Sequence, residues 1–168
     1  MNSGRKGKAL QPQGLILLFA IVAMLGVIYF QKMDSGVKYR LEIVHVATGT
    51  VIIDFPVLES EKFQIHYTHS VDCLPVRETF RAEKGQLVLD EVHWMSFGAG
   101  LGYMDQGKIR VENEWIIIEQ MNRRVGQLLL RVGTIADHRL VYRGEEYPLK
   151  NYVEGRELVQ LSVARQSR

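Results

Sequence analysis

The fold is decided first by FQIHYT at residues 63–68, in which apolar and polar side chains alternate. Alternation with a period of two is typical of a β-strand that buries one face. Further along, VRETFRAE at residues 76–83 is separated by Lys84 and Gly85 from QLVLDEVHW at residues 86–94. Two apolar-rich runs joined by a short glycine-containing turn predict a β-hairpin.

The same pattern extends over the rest of residues 37–168. We expect further strands at about residues 39–43, 51–55, 115–118, 127–132, 139–142, 146–149 and 157–163. Pro56 is expected to end the 51–55 strand. About nine short strands at this spacing are typical of a β-sandwich or barrel, so we predict a mainly β, sandwich-like domain over residues 39–164.

Helix signals in this domain are poor. Three consecutive isoleucines, residues 116–118, lie within the best helical candidate, residues 112–124. Because β-branched side chains disfavour helix, we expect no more than a short helix or turn near residues 119–124.

An uncharged run of seventeen residues, GLILLFAIVAMLGVIYF, occupies residues 14–30. As a helix it would span about 25 Å, close to the roughly 30 Å hydrocarbon core of a bilayer. A core helix at a protein surface would need polar residues on one face, and none interrupts this run. A cleaved signal peptide would need a small-x-small cleavage site, and none follows the run. We therefore predict a transmembrane signal-anchor helix at residues 14–31, after a basic segment at 1–13 and before a linker at 32–38. Residues 165–168 form a tail.

Basic residues flank this run on both sides: Arg5, Lys6 and Lys8 precede it, and Lys32, Lys38 and Arg40 follow it. The positive-inside rule, with the α-amine counted, favours a cytoplasmic N-terminus. We expect a single-pass protein of the cytoplasmic membrane whose C-terminal domain faces the periplasm or the cell exterior.

Composition excludes several classes of function. Residues 1–36 carry four basic and one acidic side chains, which leaves the remainder 17 of the chain's 21 basic and 18 of its 19 acidic groups. The main domain is therefore not basic, and nucleic acid is not expected as a partner. The single Cys73 excludes an internal disulfide framework and a Cys-rich zinc site. We expect no cofactor and no metal, and we assign no catalytic residue.

Two segments invite a chemical interpretation. His69 and Ser70 could form a base–nucleophile pair, but if one strand covered residues 63–70 they would point to opposite faces, and no G-x-S-x-G elbow is present. SFGAGLG at residues 96–102 lacks the third glycine of a dinucleotide-binding motif, because Tyr103 stands there. This segment predicts backbone with positive φ or a close approach to another group.

Glu78 shares the alternation of Val76 and Phe80 and is predicted to point inward with them. A buried carboxylate requires partners, and His69 or an arginine is the expected one.

The motif Tyr67-x-His69-Ser70, then Pro75-Val76-x-Glu78-x-Phe80, then the segment at 96–101 resembles the bacterial domain-of-unknown-function family number eighteen-fifty. The family pattern has proline after the last segment, where this chain has Gly102. The resemblance implies a small anchored β protein, often encoded beside TRAP-type transporters of the TAXI kind. It points to these site residues, without assigning them roles: His69, Ser70, Glu78, Ser96, Gly98, Gly100 and His138.

Together these observations predict a membrane-anchored extracytoplasmic accessory or binding module. Its expected partners are the membrane, through residues 14–31, and TRAP-type transporter subunits or their solute-binding protein. Two alternatives stay open: a structural envelope protein whose polar motif has no function of its own, and an anchored hydrolase that uses the His/Ser/Glu cluster.

Overall fold

A computed structural model describes residues 20–26, 37–95 and 106–165. From residue 37 onward, the described residues form eleven β-strands and one 3₁₀ helix, η1 (Leu149–Asn151). The strands are β1 (Val37–His45), β2 (Thr50–Leu58), β3 (Lys62–Thr68), β4 (Pro75–Glu83), β5 (Gln86–Trp94), β6 (Lys108–Glu112), β7 (Trp115–Glu119), β8 (Arg123–Arg131), β9 (Arg139–Tyr142), β10 (Glu145–Pro148) and β11 (Leu158–Arg165).

All strands pair antiparallel in one sheet, in the order β10-β9-β3-β4-β5-β8-β11-β1-β2. The β6–β7 hairpin is attached to β5 through β7. Strand β8 joins the two halves of the sheet, because its beginning pairs with β5 and its second half pairs with β11. The change of partner occurs at Gly126, whose φ of +71° is accessible to glycine at little cost.

The sheet curls until its two ends meet. The ring of Phe55 on β2 packs against Tyr142 on β9 and Tyr147 on β10, with centroid distances of 5.3 and 5.0 Å. The Tyr142 hydroxyl donates a 2.8 Å hydrogen bond to the carbonyl of Pro56. One apolar core therefore contains side chains from both ends of the strand order, including the fully buried Leu41 and Leu140.

Three hairpins have two-residue turns in which both residues take positive φ, the combination that suits the right-handed twist of paired strands. These turns are Lys84 (53°) and Gly85 (75°), Asn113 (48°) and Glu114 (69°), and Arg143 (52°) and Gly144 (85°). The first of them is the hairpin that the sequence predicts, with strands at the expected positions.

The mainly β fold is confirmed, with two differences from the expected strands. Strand β2 continues through Pro56 to Leu58. It lies at one end of the strand order, so a proline, which has no N–H, can stand there without removing a hydrogen bond between strands. Strand β6 was not predicted. The segment after β7 is a turn, one of the two forms expected there, with positive φ at Gln120 and Asn122.

The predicted span at residues 14–31 lies mostly outside the described residues, as do the basic segment, most of the linker and all but the first residue of the tail. Residues 20–26 are helical and exposed. Within the part of the chain that is described, no helix has the length and apolar character needed to cross a membrane.

Candidate functional site

Three features lie at one end of the sheet, which we call the motif end: the turn at residues 69–74, the end of β5, and the loop at residues 132–138. The turn connects β3 to β4 directly. Strand β5 finishes at Trp94, opposite Val76 at the start of β4. The amide of Thr68 donates a 2.7 Å hydrogen bond to the carbonyl of Ala136, which holds the loop beside the end of β3.

Glu78 lies on β4 and points inward, as predicted. It is 6% exposed, and its neighbours on the same face, Val76 and Phe80, are each 1% exposed. Taking a carboxylate out of water is costly unless hydrogen-bond donors replace the solvent. The groups that donate hydrogen bonds to Glu78 therefore determine whether its burial is energetically acceptable.

Tyr67 on β3 is a partner of Glu78. Its hydroxyl donates a 3.2 Å hydrogen bond to Oε1 of Glu78. The pairing of β3 with β4 sets this contact, because Tyr67 lies opposite Val76 and Ile65 lies opposite Glu78. The expected partners were His69 or an arginine. Tyr67 belongs to the motif that carries the resemblance, but it was not among the candidate site residues.

His138 contacts the ring of the same tyrosine, so Tyr67 connects His138 to Glu78. The imidazole stacks on the Tyr67 ring, with centroids 5.2 Å apart and planes 28° from parallel. Its Nδ1 is buried and has no hydrogen-bond partner in the part of the chain that is described. Burial lowers the pKa of His138 because it disfavours the imidazolium form, an effect that the charge of Asp137 opposes. Glu78, Tyr67 and His138 form what we call the inner cluster.

The adjacent Asp137 is held as a carboxylate. Lys150 contacts its Oδ1 at 2.8 Å, and Arg139 hydrogen-bonds to its Oδ2. These two cations lower the pKa of Asp137, Lys150 having the larger effect.

His69 and Ser70 lie in the turn, since β3 ends at Thr68. A single strand over residues 63–70, the condition considered for this pair, is therefore not formed. The backbone of His69 closes the turn by accepting a 2.9 Å hydrogen bond from the Cys73 amide. Its Nδ1 lies 3.7 Å from Oδ2 of Asp72. Ser70 is exposed and, among the described contacts, makes no hydrogen bond to His69.

Ser96, Gly98 and Gly100 lie outside the described residues. Of the seven predicted site residues, the structure thus places four at or near the motif end, and joins Glu78 and His138 through Tyr67. In the described ranges, no three His, Cys, Asp or Glu side chains are grouped so that they could hold a metal ion.

A second polar feature lies on the outer face of the same strands. His66, Arg77 and Arg139 occupy opposing positions on β3, β4 and β9 and line a groove of about 260 Å³. Burial and the charge of Arg77 lower the pKa of His66, which hydrogen-bonds to Gln64 at 2.8 Å. These residues were not predicted, because their proximity depends on strand register.

The charges of this groove are largely matched within the chain. Arg139 pairs with Asp137 and with Glu146, the latter at 2.8 Å. Arg77 instead places its guanidinium over the ring of Trp115, 4.6 Å from the centroid. This contact joins the β6–β7 hairpin to the outer face of β4.

Residues 63–149 match the family described as a domain of unknown function, DUF1850, which is slightly more than half of the chain. The chain belongs to the DUF1850 family. The resemblance found in the sequence is thereby confirmed. No curated protein and no solved structure matches the chain significantly.

The DUF1850 segment begins in β3 and ends at the first residue of η1, so it includes the whole inner cluster. Strands β1, β2 and β11 lie outside it. They nevertheless supply fully buried core side chains, among them Leu41, Ile43 and Leu161. The DUF1850 segment of this chain therefore completes its core with strands on both sides of the match.

Proposed function

We propose that this DUF1850 protein is a membrane-anchored extracytoplasmic binding module that acts as an accessory to TRAP-type solute uptake. The observation that supports a binding role is the inner cluster. A carboxylate, a phenol and an imidazole are brought together near one end of a sheet whose buried side chains are mostly apolar. Polar groups held on strands in this way are a common basis for a preorganised binding site.

The anchor rests on the sequence. The uncharged run at residues 14–30 and its basic flank favour insertion with the C-terminal domain outside. A tether would raise the effective concentration of the domain at a membrane partner. Alkaline extraction of membranes and protease protection of a C-terminal tag test this step, and release into the soluble fraction would contradict it.

The partner that we propose is a TRAP-type membrane subunit or its solute-binding protein. The tagged full-length chain would be crosslinked in native membranes, and the proteins that copurify with it identified. Recovery of a TRAP subunit supports the proposal. Recovery of none, from protein shown to be folded and in the membrane, contradicts it.

Variants separate a binding role from a structural one. In a binding module, Glu78→Gln and His69→Ala should abolish recovery of the partner and leave the melting temperature nearly unchanged. Glu42→Gln is a matched control, because Glu42 lies on β1 opposite Asp54 and outside the motif segments.

The structural alternative is favoured by the Tyr67–Glu78 hydrogen bond, which could serve only to stabilise the sheet. It predicts a large loss of stability for Glu78→Gln with unchanged partner recovery. The hydrolase alternative has less support, because a nucleophilic serine requires a hydrogen bond to its base and His69 makes none to Ser70 among the described contacts.

A further inference from the structure

Strand β6 has a free edge in the described part of the chain, where it pairs with β7 alone. Backbone groups of an antiparallel strand point alternately to its two sides, so the outer side of β6 carries N–H and C=O groups that pair with no other described strand. All five residues of β6 are exposed.

One face of β6 extends the apolar layer of the core. Ile109 and Val111 lie opposite Ile118 and Ile116 of β7. The two β7 side chains are buried, at 0% and 1% exposure, whereas Ile109 and Val111 are 42% and 61% exposed. The apolar layer thus continues to the edge of the sheet.

The opposite face of β6 carries Lys108, Arg110 and Glu112. Exposed edges are usually protected by charges that repel a second edge. In β6, by contrast, the outer charges of two strands related by a two-fold axis, those of Lys108 and Glu112, have opposite signs where they face each other. In an antiparallel pair centred on Arg110, Lys108 lies opposite the partner's Glu112, and Ile109 lies opposite the partner's Val111.

The central arginines do not oppose this register. Arg110 already pairs with Glu112 of its own chain, and its Nε lies 4.0 Å from Oε2 of Glu119. Lys108, Arg110, Glu112 and Glu119 together have no net charge, so two such patches can approach without net repulsion.

We propose that two copies of this chain associate through antiparallel β6–β6 pairing centred on Arg110. Five residues a side bury less than the roughly 1,200–2,000 Å² of a stable interface, so the association is weak and depends on concentration. It does not depend on the proposed transporter partner.

Disulfide trapping tests the register, using the full-length chain with Cys73→Ser. Arg110→Cys should form disulfide dimers, because residue 110 faces its own counterpart. Lys108→Cys and Glu112→Cys should each fail alone, since each lies about 13 Å along the strands from its counterpart, but a mixture of the two should crosslink. We expect Arg110→Cys to crosslink at least about tenfold faster than Lys108→Cys. Equal rates would overturn the proposal.

A charge exchange tests the contacts themselves. Lys108→Glu and Glu112→Lys should each weaken self-association about tenfold, because each converts two attractive cross-strand pairs into repulsive ones. The double variant should restore it to within about twofold. Association would be measured by analytical ultracentrifugation in one membrane mimetic, with circular dichroism to confirm folding. Failure of the double variant to recover, or a monomeric parent chain at about 1 mM, would overturn the proposal.

Discussion

The hydroxyl of Tyr67 donates a 3.2 Å hydrogen bond to the buried carboxylate of Glu78, a residue eleven positions away on the neighbouring strand. The same tyrosine ring stacks on His138. Tyr67 is therefore the residue that converts two separate polar side chains into one cluster.

Tyr67→Phe should destabilise the domain by about 1–3 kcal/mol, because it leaves a buried carboxylate oxygen without this donor. The free energy of unfolding would be measured by urea denaturation of the full chain. Tyr152→Phe is the control: Tyr152 is 43% exposed, and its change should stay within about 0.5 kcal/mol. A Tyr67→Phe protein as stable as the parent would contradict the assigned hydrogen bond.

Acidification should destabilise the folded domain through His138. Because burial lowers its pKa in the folded state, the unfolded chain binds more protons at intermediate pH, and stability falls as pH decreases from above 6.5 through the folded-state pKa. The pKa of His66 is lowered too, with the same sign. His138→Phe keeps an aromatic ring against Tyr67 and should flatten the decline measured between pH 7.5 and 5.5.

A His66→Gln protein provides the comparison for that experiment, since it removes the second contribution and leaves the inner cluster intact. If the stability of His138→Phe depended on pH as strongly as that of the parent chain, the inference that burial lowers the pKa of His138 would be contradicted.

The contact between the two ends of the sheet should be measurable at Tyr142. Tyr142→Phe removes the hydrogen bond to the Pro56 carbonyl but keeps the ring against Phe55, so we expect a loss of about 1 kcal/mol. Amide exchange should accelerate in β2 and β9. Tyr147→Phe is the control, because it keeps the ring against Phe55 and does not affect the Tyr142–Pro56 hydrogen bond, so its stability should be nearly unchanged. Equal losses of stability in both variants would argue against a contribution of that hydrogen bond.

The β6–β7 turn offers a stabilising change. Glu114 holds a φ of 69°, a conformation that costs a residue with a Cβ roughly 1 kcal/mol. Glu114→Gly produces the dipeptide most favoured in this turn type and should raise the free energy of unfolding by about 0.5–1 kcal/mol. Lys84→Gly tests the same effect in the β4–β5 turn. A loss of stability in both would show that the turns are not strained.

Much of the fold follows from local patterns. Period-two alternation predicted β3, and two apolar-rich runs joined at Lys84 and Gly85 predicted the β4–β5 hairpin. The alternation of Val76, Glu78 and Phe80 within β4 placed Glu78 on the buried face. These features depend only on neighbours in the chain. The short strand β6 was not predicted, although Ile109 and Val111 alternate with its polar side chains. Five exposed residues give a weak local signal, and β6 is a strand because it pairs with β7.

The candidate site was only partly predictable. His138 and Glu78 were found through the motif, but the residue that joins them was not chosen, because a side chain's cross-strand neighbour depends on the register between strands. The Tyr67–Glu78 contact requires the β3–β4 pairing in which Ile65 faces Glu78.

The mainly β class, several strands and the side of the sheet on which Glu78 lies could thus be predicted from local sequence, since these arise from backbone alternation and turn chemistry over a few residues. Tertiary structure decided the strand order, the change of partner at Gly126 and the contact of Phe55 with Tyr142 and Tyr147. It also brought the turn at residues 69–74 and the loop at residues 132–138 to one end of the sheet. These features come from pairing between strands that are distant in the chain, where burial of a common core, rather than local preference, selects the partner.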